Sequence, residues 1–511
     1  MSVVEGKKTQ QNEWGSNLSF ILAMIGSAVG LGNIWRYPYV LCFNGGGAFY
    51  IPYLVAILLM GVPFLILEYG VGYNYKSSFA KAVKKIHSKF EFLGWFLPVS
   101  VYMIMIYYSA ILGWDGIYIV LSFFKGWGNE PKTYFGKELL QSTESYTGLF
   151  HFLPIIAIAM LIGWVIIWFI SHRDLEKGLG KLSKLLVPLL FIIMVFIVIY
   201  SLSLSGASTG LEKLFKPDWS NLLKFDIWMA AFGQIIFSLS LGMSIAFTYA
   251  SYTKKETDLI TNTLSIAIAN CSFENFAALG VFSILGYMAN QSGKSMDQLL
   301  DTKSADGLNI QGAGLVFVVY PTILNVLGKF SVIIGPLFFI TVYLAGITSI
   351  LSTIEPLSFS IQNKFGWSRH TTMSVLCGIG AVISMLYATQ FGESLLGIVD
   401  TFINQVAILI GVVLECVVFA WIFDSKKLIG FLNNKSRFLK VGTWWLLIVK
   451  IILPIFIIII WVGGLIDSIK SGTTEQLIFT LISAAVLIIA TLVFTFLPAK
   501  SEEWEQTEDR V

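Results

Sequence analysis

Two stretches put glycine, hydroxyl, amide and charged side chains inside apolar runs that would otherwise read as membrane helices. The first, GSAVGLGNIWRYP from Gly26, holds three glycines, Asn33 and Arg36; the second, QIIFSLSLGMS from Gln234, holds Ser238, Ser240, Gly242 and Ser244. Backbone in lipid must satisfy its own hydrogen bonds, so such clusters are tolerated only where protein or a cavity takes over. Both stretches therefore read as broken helices. Carbonyls freed at a break can bind cations, and amides freed at a half-helix N-terminus can face an anion. One such stretch alone is better explained by close packing through small residues. Two of them, five spans apart, match the pattern of an inverted-repeat secondary transporter in which spans 1 to 5 are mirrored by 6 to 10.

Charges inside spans add to this reading, because an intramembrane ionisable group is costly and points to function. Glu274 lies four residues after Asn270, one turn along the same helix face. Arg36, Asp400 and Glu68 also fall within spans. Glu355, Glu415, Asp115 and Lys450 lie in or near spans and read as helix pairing or snorkelling at span ends.

The elements that must position these residues follow from composition. Of 511 residues, 34 are Lys or Arg and 31 Asp or Glu; 13% are charged and 56% hydrophobic. That apolar fraction exceeds what a globular interior can hide, so the surface must face lipid. A net charge of +3 gives no basic field for nucleic acid. A span needs roughly 20 apolar residues, and about twelve such runs are centred near residues 30, 60, 105, 160, 190, 240, 275, 345, 380, 408, 455 and 487. The third and eighth are longer than a crossing requires. The polar segment from Met1 to Trp14 is not a signal peptide. Lys and Arg collect after spans 2, 4, 6, 8 and 10, which places both termini in the cytoplasm and the long loops after spans 3, 5 and 7 outside, in a multi-pass protein of the cell membrane. The resulting division is a cytoplasmic segment 1–14, spans 1 to 5 in 15–204, spans 6 to 10 in 205–425, spans 11 and 12 in 426–498 and a cytoplasmic tail 499–511. Cys42, Cys271, Cys377 and Cys416 read as packing residues, and the four histidines are peripheral, so neither a disulfide framework nor metal catalysis is expected.

The two broken stretches, GGGAFYIPY from Gly45, TYASY from Thr248 and AGITS from Ala345 resemble, in order, the neurotransmitter:sodium symporter family and its bacterial amino acid transporters. The resemblance runs from about Trp14 to span 10, and two further spans fit the family's twelve-helix plan. It implies an all-α membrane protein of the LeuT fold, with a 5+5 inverted repeat and broken helices 1 and 6.

It also implies site residues. Sodium is a hard cation that takes oxygen ligands. The first sodium site would use the Ala28 carbonyl, Asn33, Ser238, Asn270 and the substrate's carboxylate; the second would use carbonyls of Gly26, Val29 and Ala345 with the hydroxyls of Thr348 and Ser349. Chloride-dependent animal members bind chloride beside Tyr53, Gln234 and Ser238, whereas Glu274 stands where bacterial members supply a carboxylate, so transport should not need chloride. Monoamine transporters of the family carry Asp at the Gly30 position. Glycine there implies a substrate that brings its own carboxylate, an amino acid. Leu31 and Gly32 amides and Tyr108 would hold that carboxylate, and carbonyls of Ala28, Phe237 and Ser238 with the Ser240 hydroxyl would hold the ammonium. Ile104, Phe237, Met243, Ser349 and Thr353 would line a pocket for a hydrophobic or aromatic side chain.

Arg36 and Asp400 would close the outer gate, with Tyr108 and Phe237 as lid. Glu68 would accept hydrogen bonds from unwound backbone. At the inner gate Trp14 and Tyr252 match the family, but its Arg and Asp positions are Gln11 and Asn363 here, so an amide contact, or Lys7 and Lys8, would stand in for the ion pair. Substrate, sodium and bilayer are the expected partners, with no obligate protein partner. An intramembrane enzyme is disfavoured because no nucleophile–base or metal set appears; a sensor or channel-like protein on the same scaffold is the alternative.

Overall fold

The computed structural model describes residues 13–254, 256–300, 312–423, 425–437 and 439–505. Ten helices among them are long and apolar enough to cross a membrane: Gly46–Tyr75, Ser88–Ser122, Pro154–Ser171, Glu176–Leu202, Leu259–Ser292, Gly328–Phe365, Arg369–Tyr387, Gly392–Ile422, Thr443–Lys470 and Thr474–Phe496. They are spans 2, 3, 4, 5, 7, 8, 9, 10, 11 and 12. Span 1 is a bent pair, 1a (Asn17–Ala28) and 1b (Leu31–Phe43), meeting at 53°. Span 6 is also in two pieces, 6a (Phe225–Ser238) and 6b (Ile245–Ser251), which completes twelve. Ten of the centres expected from hydropathy fall within these helices, and the other two, near residues 30 and 240, fall at the breaks of spans 1 and 6.

Both breaks have local causes. Ser16 caps 1a by accepting the Ser19 N–H, and the helix stops where Val29 and Gly30 turn extended. In span 6 the link folds through Ser240, Gly242 and Ser244, all at positive φ between 53° and 67°. Left-handed backbone is open to glycine but strained for serine, so two of the three turning residues lie where chain chemistry alone would not put them. Gly242 also has a steric reason: a Cβ there would lie 2.2 Å from Val412 Cγ2 of span 10.

Packing without a hydrophobic drive depends on close helix approach through small residues. Spans 3 and 8 lie along one another at the centre, where a Cβ on Gly346 would fall 2.5 Å from Leu112. Span 3 is the most enclosed of the long helices, with 83% of its apolar window buried, while spans 11 and 12 are 22% and 17% buried and sit at the periphery.

Loop contacts fix the parity of the crossings. Loops after odd spans touch each other, as in Asp218 N–H to Gly45 O (3.0 Å) and Thr143 N–H to Gln390 O (3.0 Å). Loops after even spans gather at the opposite end, as in Ser78 N–H to Asn363 Oδ1 (3.0 Å) and Lys435 to Glu256 (2.8 Å). Trp14 N–H reaches Tyr252 O, and Lys500 and Ser501 N–H reach Lys364 O, so both ends of the described chain share that second face.

Candidate functional site

The two breaks face one another across span 3 and span 8 and enclose a cavity. It is lined by eleven of the residues expected to bind substrate: Ala28, Gly30, Leu31, Gly32, Ile104, Tyr108, Phe237, Ser240, Met243, Ser349 and Thr353. Ser238, the twelfth, lies buried behind the lining. The Leu31 N–H, freed at the start of 1b, points at the Tyr108 hydroxyl at 3.4 Å. A Cβ at Gly30 would stand 2.8 Å from Ser349 Oγ and 3.6 Å from Tyr108 Oη, so a side chain there would displace the Ser349 hydroxyl. Gly32 is covered by the Phe237 ring, which a Cβ would meet at 2.1 Å. Ile111, Ile245 and Ile350 extend the apolar lining beyond the expected set, and Ser27 and Ser352 add a hydroxyl pair at 2.8 Å.

Behind the cavity four spans contribute a buried polar cluster. Asn33 Nδ2 lies 2.9 Å from Asn270 Oδ1, 3.3 Å from Ser238 Oγ and 3.4 Å from Glu274 Oε2. The Asn33 amide nitrogen is thus surrounded by three oxygens from spans 6 and 7. Asn33 Oδ1 is held by Gly30 N–H at 2.9 Å. Glu274 is fully buried; it accepts from Ser238 Oγ (2.9 Å), Gln234 Nε2 (3.0 Å) and the Tyr53 hydroxyl. A buried carboxylate needs such donors to persist.

A second oxygen cluster joins 1a to span 8. Ser349 Oγ lies 3.5 Å from Gly26 O, 3.4 Å from Ser27 O and 3.5 Å from Val29 O, all carbonyls released at the break. Thr348 Oγ1 lies 3.0 Å from Ala345 O and packs beside Gly26, whose Cβ would be 3.2 Å from Thr348 Cβ. Every residue expected in the second sodium site is therefore in one place, with the Ser27 carbonyl in addition.

Two broken helices thus bracket a cavity with a buried polar cluster on either side, and sequence comparison places the chain in a family. The sequence model of the sodium:neurotransmitter symporter family matches residues 11–147 and 129–500. The chain belongs to this family. It is 36% identical over 448 residues to an uncharacterized sodium-dependent transporter of Methanocaldococcus jannaschii, covering 88% of this chain and 89% of that one. It is 25% identical over 496 residues to the Drosophila melanogaster sodium-dependent serotonin transporter, covering 90% and 77%. The crystal structure of MhsT in complex with L-phenylalanine superposes with a TM-score of 0.70 at 28% identity, covering 89% of this chain and 99% of that one. The molecule is a multi-pass membrane protein of the LeuT fold, and its transport is sodium-coupled.

The two ends of the symporter's path differ. On the outer side Trp35, Arg36, Tyr108, Phe237 and Asp400 are partly exposed. Arg36 and Asp400 do not form a direct ion pair: the guanidinium lies 5.2 Å over the Phe237 ring and donates to Gly233 O at 3.4 Å, while Asp400 accepts from Tyr107 Oη (2.6 Å) and Asn404 Nδ2 (2.8 Å). On the inner side Trp14 is 1% exposed, its indole N–H bound to Tyr249 O at 2.8 Å, and Tyr252 packs on Phe359 at 4.9 Å. The end of the path at Trp14 is thus closed by packed aromatic rings, whereas the residues at the other end are partly exposed.

Of the inner-gate residues, Gln11 lies outside the described residues, as do Lys7 and Lys8. Asn363 spends its side-chain oxygen on Ser78 N–H. Sequence reasoning missed the ionic element present there. Glu355 of span 8, 1% exposed, pairs with both terminal nitrogens of Arg369 at the start of span 9, and Arg369 Nε donates to Ser171 O (3.0 Å) and Arg173 O (2.7 Å). The signal available was an intramembrane Glu with a lone Arg heading the next span.

Proposed function

We propose that this symporter imports an amino acid with a hydrophobic or aromatic side chain, using two sodium sites and no chloride. The observation that carries the substrate class is Gly30: it lies against Ser349 and Tyr108 and offers no carboxylate on the cavity side of the first ion site, so the substrate has to bring one there. That carboxylate would sit on the Leu31 and Gly32 amides and the Tyr108 hydroxyl, and the ammonium on the Ala28, Phe237 and Ser238 carbonyls and the Ser240 hydroxyl. Ile104, Met243 and Thr353 with the added isoleucines favour an apolar side chain. The L-phenylalanine held by the MhsT neighbour supports the same class.

The first sodium would be bound by Ala28, Asn33, Ser238 and Asn270 with the substrate, the second by Gly26, Val29, Ala345, Thr348 and Ser349. Ion and substrate share one carboxylate, so each raises the other's affinity by the same factor. Glu274 already takes donors from Tyr53, Gln234 and Ser238, leaving no unpaired set there for chloride. Spans 1, 2, 6 and 7 would rock against 3, 4, 8 and 9, the outer side closing through Arg36, Asp400, Tyr108 and Phe237 and the inner side opening at Trp14, Tyr252 and the Gln11 and Asn363 positions. Residues 15–204 and 205–425 would be the two inverted halves, 426–498 a peripheral pair, in the cell membrane with both termini cytoplasmic.

The test is uptake of labelled phenylalanine and leucine into proteoliposomes under a sodium gradient, with chloride or gluconate as anion. Equal concentrative uptake with both anions is expected. Saturable binding without accumulation would establish the sensor reading instead, and uptake only with chloride would overturn the role given to Glu274.

A further inference from the structure

Away from the transport path, on the face that carries Trp14, the end of span 4 and the start of span 5 enclose a second concavity. His172, Arg173, Asp174, Lys177 and Lys181 line it. Three fixed cations thus face one carboxylate. Asp174 meets Lys177 at 3.0 Å, but both groups are exposed, at 65% and 72%, so the pair is weak. Lys184, one turn further on, is committed to Glu176 at 2.7 Å. Neither Arg173 nor Lys181 has a carboxylate partner among the described residues.

The surroundings say what chemistry would come to this charge. Arg173 lies 4.2 Å over the Phe169 ring, at the level where span 4 stops being apolar. Below it Phe169 and Val165 on span 4, and Leu185 and Ile192 on span 5, are half or more exposed and so face the bilayer. A cationic cup on top of two lipid-facing helices is complementary to one kind of molecule, an amphiphile with an anionic head and apolar tails. We propose that this pocket binds the phosphodiester headgroup of an anionic glycerophospholipid from the adjacent leaflet, through Arg173, Lys177 and Lys181, with the acyl chains along Phe169 and Leu185.

The site is wired to the inner gate. Arg369, which holds Glu355, donates to the Arg173 and Ser171 carbonyls of the same loop. Glu176 accepts the Gly15 N–H at 2.9 Å and the Ser19 hydroxyl at 3.1 Å, fixing the chain next to Trp14. A headgroup that orders this loop therefore steadies the inward-closed state, and by reciprocity inner opening weakens lipid binding.

Native mass spectrometry of the full chain, stripped of lipid in detergent and titrated with phosphatidylglycerol or phosphatidylcholine, tests the proposal. One phosphatidylglycerol should bind in preference to phosphatidylcholine. Each of R173Q, K177Q and K181Q should weaken it about fivefold, and D174N should tighten it, a gain that misfolding cannot produce. K426Q with K427Q, a larger loss of charge in the helix Ser425–Lys435 after span 10, should leave binding unchanged. Excess inorganic phosphate should not displace the lipid. The proposal is overturned if phosphatidylcholine is held as well, if the pocket variants bind like wild type, if the remote pair weakens binding as much, or if free phosphate competes.

Discussion

Ser238 of span 6a donates its hydroxyl to Glu274 of span 7 at 2.9 Å, and the same Ser238 oxygen receives Asn270 Nδ2 at 2.5 Å. One side chain therefore joins the carboxylate to the first ion cluster. Replacing Glu274 by Ser removes the fixed negative charge while keeping a hydroxyl among the donors from Tyr53 and Gln234. Uptake by Glu274→Ser in sodium gluconate should fall roughly 5- to 150-fold, the usual range of a coupling free energy, and return when chloride replaces gluconate. Wild type should not respond to the exchange.

Gly30 argues for a second variant. A methyl there would meet Ser349 Oγ at 2.8 Å and force that hydroxyl away from the Gly26, Ser27 and Val29 carbonyls. Gly30→Ala should thus weaken sodium as well as substrate, whereas a change confined to the pocket, such as Thr353→Ala, should alter substrate alone. Thermal-shift titrations with sodium, with and without amino acid, separate the two outcomes.

The ion ligands can be tested directly. Ser349→Ala removes one hydroxyl oxygen from a cluster otherwise built from carbonyls and Thr348. A hydrogen-bond-like contact to a charge is worth about 1.5–3 kcal/mol, so the sodium concentration for half-maximal uptake should rise by roughly 10- to 150-fold. Ser349→Thr, which keeps the oxygen, should recover most of this.

The places where sequence and structure agree share a physical origin. Lipid demands long apolar runs, so all twelve spans could be located by hydropathy, and glycine clusters are rare enough in such runs to expose the break in span 1. Composition alone could not show that Ser240 and Ser244 would adopt positive φ, because the path of this link is set by long-range packing, as where Gly242 lies against Val412 of span 10. Pairing across spans was equally hidden. Whether Arg36 meets Asp400 depends on which groups of neighbouring spans reach each charge, and here Tyr107 and Asn404 hold the carboxylate instead. Glu355 could be seen as costly, yet its partner depends on the rotation of span 9 against span 8.

That partner yields the sharpest test of the inner gate. Glu355 is 1% and Arg369 10% exposed at the side chain, so removing either charge strands the other in a poorly solvated place. Breaking a buried pair from one side costs about 3–5 kcal/mol, whereas replacing both partners is often close to neutral. Glu355→Gln and Arg369→Gln should each lower the melting temperature and increase labelling of a cysteine placed at Phe359, which packs on Tyr252 at the closed end. The double variant should melt closer to wild type than either single one, while labelling stays high because the tie from span 8 to the loop after span 4 is gone. Melting that falls additively in the double variant would show that the two side chains act independently, and the pair would then have no part in holding the inner side shut.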